Sequence, residues 1–158
     1  MRPDLIGTDP VVDYLMSAGW ARVEASRLRE KIDQMEAQVT RITPSYTGMP
    51  GGGNGDSSDA WVALAQLRGE YAAKLAEVER SEREVSDFID SLDSPTSRAI
   101  LHLRYCSCLR WPIVVERMEE DGYVYSERQI YRLHNKALEE AREKYVEKVT
   151  GDSMEGRQ

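Results

Sequence analysis

Apolar and small residues recur in steps of three and four along two stretches of similar length, and this restricts the chain to helices that pair. In the first stretch the seam is Val11, Tyr14, Ala18, Ala21, Ala25, Leu28, Ile32, Met35, Val39 and Ile42. In the second it is Leu64, Arg68, Tyr71, Leu75, Val78, Glu82, Val85, Ile89 and Leu92. Thr43-Pro44 closes the first stretch, because the residue before a proline is driven out of the helical region. Between the two lies "TPSYTGMPGGGNGDSSD", rich in glycine and without a period, which reads as a flexible connection; Ser57, Ser58 or Asp59 then caps the second helix. At about 1.5 Å per residue each seam runs roughly 50 Å, and an antiparallel hairpin is the simplest pairing. Heptads alone leave a parallel pairing of two chains open. Arg68 and Glu82 stand where apolar residues are expected, a placement that suits either side chains lying along the rim or polar intrusions that set register. Gly19 weakens the first turns by about 1 kcal/mol relative to alanine.

Three shorter helices are expected downstream. Ser94 caps one, with Pro95 at its first position and Ala99, Ile100, Leu103 and Tyr105 as its apolar face. Another begins near Pro112, carries Ile113, Val114, Val115 and Met118, and stops before Gly122. The last opens on Ser126 with Gln129 three residues on, a capping box, and buries Ile130, Leu133, Ala137 and Ala141. No convincing strand pattern occurs. The expected fold is all-α: a long antiparallel, coiled-coil-like helical hairpin followed by a three-helix helix-turn-helix module. The expected divisions are a flexible N-terminus at 1–10, a hairpin at 11–92 with its linker at 43–58, a helix-turn-helix module at 93–149, and a disordered tail at 150–158.

Composition narrows the function classes. With Lys+Arg 21 against Asp+Glu 28 the formal charge is -7, so bulk attraction to nucleic acid or an anionic membrane is excluded and any polyanion must meet a local patch. "MRPDLIGTDP" lacks the apolar core of a leader, and no segment nears the roughly 20 apolar residues that span a bilayer, so a soluble cytoplasmic protein without membrane partners is expected. Cys106 and Cys108, one residue apart, cannot staple distant parts of a fold and lack the second pair of ligands that structural zinc needs; they read as small packing residues at a helix end. His102 could share a helical face with Cys106, yet nothing supplies an oxyanion hole or an orienting carboxylate. "GGGNG" lacks the Lys-Ser/Thr ending of a phosphate loop. No cofactor, metal or enzymatic activity is expected. Trp111 reads as the anchor packing the second short helix onto the first, and Trp20 and Trp61 as covers for the open end of the hairpin.

The last helix carries the chemistry. With Ile130, Leu133 and Ala137 facing inward, the helical period turns Glu127, Arg128, Tyr131, Arg132 and Asn135 outward. Arginine grips guanine edges or phosphates, asparagine reads adenine, and tyrosine bonds phosphate or stacks. From Ser126 to Lys136 three cationic residues face one acidic residue, a cationic surplus inside an acidic chain. A short helix, a glycine turn and a longer capped helix follow in the order of a helix-turn-helix, whose second helix enters the major groove. An ordinary helical hairpin with a solvated charged face has the same pattern.

"YSERQIYRLHNKALEEAR" resembles the recognition helix of sigma-factor region four, and "SPTSRAILHLRY" resembles the helix that precedes its helix-turn-helix. In that resemblance Ser126 takes the capping position, Ile130, Leu133, Ala137 and Leu138 the core, and Lys136 the basic position before the Ala-Leu pair. Glu127, Arg128, Gln129, Tyr131 and Arg132 fall where the family contacts promoter bases and phosphates. The whole order, from heptad helix and "GMPGGG" linker to "ILHLRY", "RWPIVVERM" and "YSERQIYRLHNKAL", resembles small phage proteins of the RinA and ArpU type, thought to activate late genes. The resemblance implies sequence-specific binding to double-stranded DNA and transcriptional activation in a bacterial host; the hairpin is then expected to mediate either self-association or contact with host RNA polymerase. Two other classes stay open: a DNA-packaging protein like a small terminase subunit, and a helical interaction module that binds no DNA.

Overall fold

A computed structural model describes residues 9–41 and 54–155, and every regular element in them is helical. The order is α1 (Pro10–Arg41), α2 (Asn54–Asp90), α3 (Pro95–Leu101) continuing into a π-helical turn (His102–Cys106), α4 (Trp111–Glu120) and α5 (Glu127–Glu155). The protein is all-α. Among the described residues no helix is long and apolar enough to cross a membrane.

The chain divides into two compact units: Trp20–Arg80, and α1 up to Gly19 together with the chain from Ser81 onward. Within Trp20–Arg80, α1 and α2 run antiparallel, since Arg68 Nη2 bonds Glu36 Oε1 at 2.7 Å while Lys74 Nζ bonds Glu24 Oε2 at 2.7 Å. The seam between them buries Ala21, Ala25 and Val78 against Tyr71. Arg68 is therefore a rim residue whose head group reaches across to α1, an exposed pair that fixes pairing more than it adds stability. Leu75 stays beside the seam, where it lines an open groove with Ala25, Tyr71 and Val78, and it is exposed, as are Trp20 and Trp61 at 48% and 52%.

The other unit is built around the ends of the hairpin, and this moves the boundary expected at residue 93. Val11 and Leu15 of α1 and Val85, Phe88, Ile89 and Leu92 of α2 share one core with Leu101, Tyr105, Ala137, Leu138 and Ala141. Tyr14 and Tyr145 meet the Phe88 ring edge to face and each other at a tilt, with ring centroids 5.2 to 6.3 Å apart. Asp9, assigned to a flexible N-terminus, instead accepts the Val11 N–H at 3.1 Å ahead of Pro10 and pairs with Arg142 of α5. Residues 1–8 lie outside the described residues.

Two expected boundaries shift, and one helix end changes form. Helix α2 begins at Asn54 and absorbs the end of the predicted linker, with Ser57, Ser58 and Asp59 inside it; no proline follows Pro50 there, and Gly55 is the single poor helix former before Trp61. Ile42 and the linker up to residue 53 lie outside the described residues. Helix α5 continues to Glu155 where a disordered tail was expected, with Thr150 and Ser153 hydroxyls bonded back to the Val146 and Val149 carbonyls. The end of α3 also departs from an α-helix. Ser107 N–H reaches back five residues to His102 O at 2.9 Å, and Cys108 takes a left-handed φ of 53°, exposed rather than half-buried.

Candidate nucleic-acid interface

Helices α4 and α5 are joined by a turn whose geometry follows from Gly122. The Tyr123 N–H bonds Met118 O at 2.8 Å and the Gly122 N–H bonds Glu119 O at 3.0 Å, the paired closure of a Schellman motif, and Gly122 sits at φ 90°. Replacing Gly122 by alanine is expected to cost about 1 kcal/mol, because a Cβ is strained at that φ; the urea midpoint measures it. The next helix then starts on its capping box. Ser126 Oγ accepts the Gln129 N–H at 3.3 Å, and Gln129 Oε1 accepts the Ser126 N–H at 2.8 Å. Ile100, Val114, Met118 and Ile130 form the core that holds α3, α4 and α5 together.

The residues singled out on α5 divide into two groups. Arg128, Arg132, Asn135 and Lys136 are exposed on the outward side, and none of these three cations makes an ion pair with a described residue. Gln129, Arg132 and Lys136, with Tyr125 and Leu133, line a shallow groove of about 200 Å³. Glu127 and Tyr131 are drawn together on the flank: the Tyr131 hydroxyl donates to Glu127 Oε1 at 3.2 Å, and its ring packs on Trp111 at 4.8 Å. Loss of hydration and the carboxylate hold the Tyr131 phenol above its usual pKa. Gln129 serves the cap with its oxygen. Farther along the outward side the cations give way to Glu139 and Glu143, so the cationic stretch ends after about three turns.

Trp111 anchors α4 on the end of α3 as expected, and on α5 as well. Its ring lies against Tyr131 and, 4.7 Å away edge to face, against His134 of α5, with the Arg104 guanidinium 4.9 Å over it.

A family model matches residues 43–142, and that family is described as proteins of unknown function, DUF1492. The chain belongs to the DUF1492 family. The match spans the described part of α2 as well as α3, α4 and α5 through Arg142, so it contains every candidate contact residue. Neither the curated proteins nor the solved structures contain a match to it.

Two residues that position α5 in this DUF1492 chain carry no signal in hydrophobic spacing. Glu140 reaches the start of α3, where its Oε1 accepts the Asp93 N–H at 2.7 Å and the Ser94 N–H at 3.1 Å. Burial pushes its carboxyl up, but hydrogen bonds from the Ser94 and Asp93 backbone and the Ser97 side chain outweigh this and hold it below its usual pKa. His134 is buried, with Nε2 3.1 Å from the Tyr105 hydroxyl and the two rings stacked. Burial, assisted by the nearby Arg104 charge, lowers its pKa from 6.5 to about 4. The unfolded chain therefore binds a proton that the folded chain refuses between those values. This contribution is complete above pH 6.5 and is lost as pH falls towards 4, by about 2 kcal/mol after allowance for solvent screening. Urea titrations across that range should show a flatter pH dependence for His134→Gln than for the parent. An equal slope in both would mean that His134 titrates alike folded and unfolded.

His102, set beside Cys106 in the sequence, has its Nε2 2.7 Å from Asp90 Oδ1. Cys106 packs against the core. Among the described residues no three His, Cys, Asp or Glu side chains gather as metal ligands.

Proposed function

We propose that this protein is a sequence-specific regulator that binds double-stranded DNA, with the first three turns of α5 in the major groove. The observation that carries this reading is the outward set Arg128, Arg132, Asn135 and Lys136, exposed and without ion pairs to described residues at the N-terminal end of a doubly capped helix. Arg128 and Arg132 suit guanine edges or phosphates, Asn135 suits adenine, and Lys136 suits a phosphate. The helix N-terminus adds a partial positive charge toward the same polyanion. Glu139 and Glu143 repel phosphate beyond that stretch, which limits contact to the leading turns. Resemblance to small phage activators with a sigma-like helix-turn-helix supports transcriptional activation in the cytoplasm of a bacterial host, with host RNA polymerase as partner.

The deciding experiment selects fragments of the source genome on the purified protein at moderate salt and sequences them. Enrichment of one site upstream of an operon is the expected result. Binding to that site should weaken with a log–log salt slope of about −3 to −5, the value for a few phosphate contacts. No enrichment at any salt would remove the DNA-reading role.

A further inference from the structure

The capping box that starts α5 also decides what Gln129 can offer to the groove it lines. The Ser126 backbone N–H can only donate, so the Gln129 atom 2.8 Å from it must be the amide oxygen, and the Ser126 hydroxyl donates to that same oxygen at 3.0 Å. With Oε1 held by two donors, the exposed side chain has only the N–H groups of Nε2 left to present. Glutamine reads adenine by using its oxygen and nitrogen together, and the cap closes that mode. Arg132 and Lys136, which line the same groove, carry donors and no acceptor. Over about two turns of α5 the three polar side chains of this groove therefore donate, and none of them accepts.

We infer that Gln129, beyond its place in the cap, is a specificity-determining residue whose Nε2 donates, beside Arg132, to the major-groove edge of one guanine. This rests on the reading of α5 as the DNA-binding helix. Of the four bases guanine alone presents two acceptors and no donor in the major groove, at N7 and O6. Adenine and cytosine each turn an amino group outward, which would give up its water only to face further donors. Thymine offers a single acceptor beside a methyl group. Gln129 also differs from Arg128 and Arg132 in how it is held. Each arginine swings on a long stem, whereas the cap fixes the Gln129 amide before DNA arrives, so less freedom is lost when it binds.

Gln129→Glu separates the two roles, because a carboxylate oxygen caps as the amide oxygen does while the outward atom changes from donor to acceptor. The urea midpoint of the variant should stay at or above the parent's, since a negative charge in the first turn of a helix is favourable. Fluorescence anisotropy of the full chain, on the selected site and on duplexes with its G·C pairs reversed one at a time, reads the second role. The parent should prefer guanine at one of these pairs on the order of thirtyfold. The variant should lose that preference or turn it toward cytosine, whose amino group a carboxylate accepts. The added charge weakens every duplex alike and cancels from the ratio. A ratio equal in the two proteins at every pair overturns the inference and leaves Gln129 as a cap or a phosphate contact. A parent without preference for any duplex removes the DNA reading itself, and this inference with it.

Discussion

Replacing Arg128 and Arg132 together by alanine is expected to abolish preference for the selected DNA site while leaving the protein folded. A well-formed arginine–base contact contributes about 1–3 kcal/mol of discrimination, so the pair should cost about 3 kcal/mol, on the order of a hundredfold in affinity. Stability should hold because both side chains are exposed and neither makes an ion pair with a described residue. Fluorescence anisotropy on the site and on a scrambled duplex separates the effects. Specific affinity should fall toward the scrambled value, whereas Lys136→Ala should weaken both duplexes alike and reduce the salt slope by about one. A double variant that keeps the parent's preference would show that another surface reads the sequence.

Leu15→Ala should produce the largest loss of stability, about 3 kcal/mol. Leu15 is fully buried in the core that also holds Leu101, Ala137 and Ala141, so its truncation leaves a cavity beneath α5. With Trp20 and Trp61, both exposed, replaced by phenylalanine, Trp111 supplies a local reporter, because it packs on Tyr131 and His134 of that helix. Its fluorescence should change at a lower urea concentration in the variant. A Trp111 transition unmoved by Leu15→Ala would mean that residues 93–149 fold independently of the hairpin ends.

The alternation of three and four located both long helices, and of their seams Val11, Ala18, Ala21, Ala25, Ile32, Leu64, Val78, Val85, Ile89 and Leu92 are buried. It missed Leu15 and Phe88, because a seam for one partner is too narrow where a helix also packs on α5. That second partner comes from residues more than a hundred positions beyond Leu15, and local period holds no record of it. Asp9-Pro10 carries the same cap-and-proline pattern that located α3 at Ser94-Pro95, so the start of α1 was legible by the same rule. The α5 cap and its outward residues were readable for a simple reason: each depends on neighbours three or four positions away. Glu140 and His134 were not, since the groups that give them roles, the start of α3 and the Tyr105 hydroxyl, are set by tertiary packing.

The length of α5 has a mechanical consequence. About 30 Å of helix separates Arg128 from Lys148, whose ammonium donates to the Tyr14 hydroxyl, and Arg142 grips Asp9 on the way. No proline falls between them to act as a hinge. The helix is thus a stiff rod seated at both ends, by the first turns of α1 at one and by the core of Ile100, Val114, Met118 and Ile130 at the other. Turning Arg128 away would unseat Ile130, buried two residues further on, so the outward surface keeps one aim.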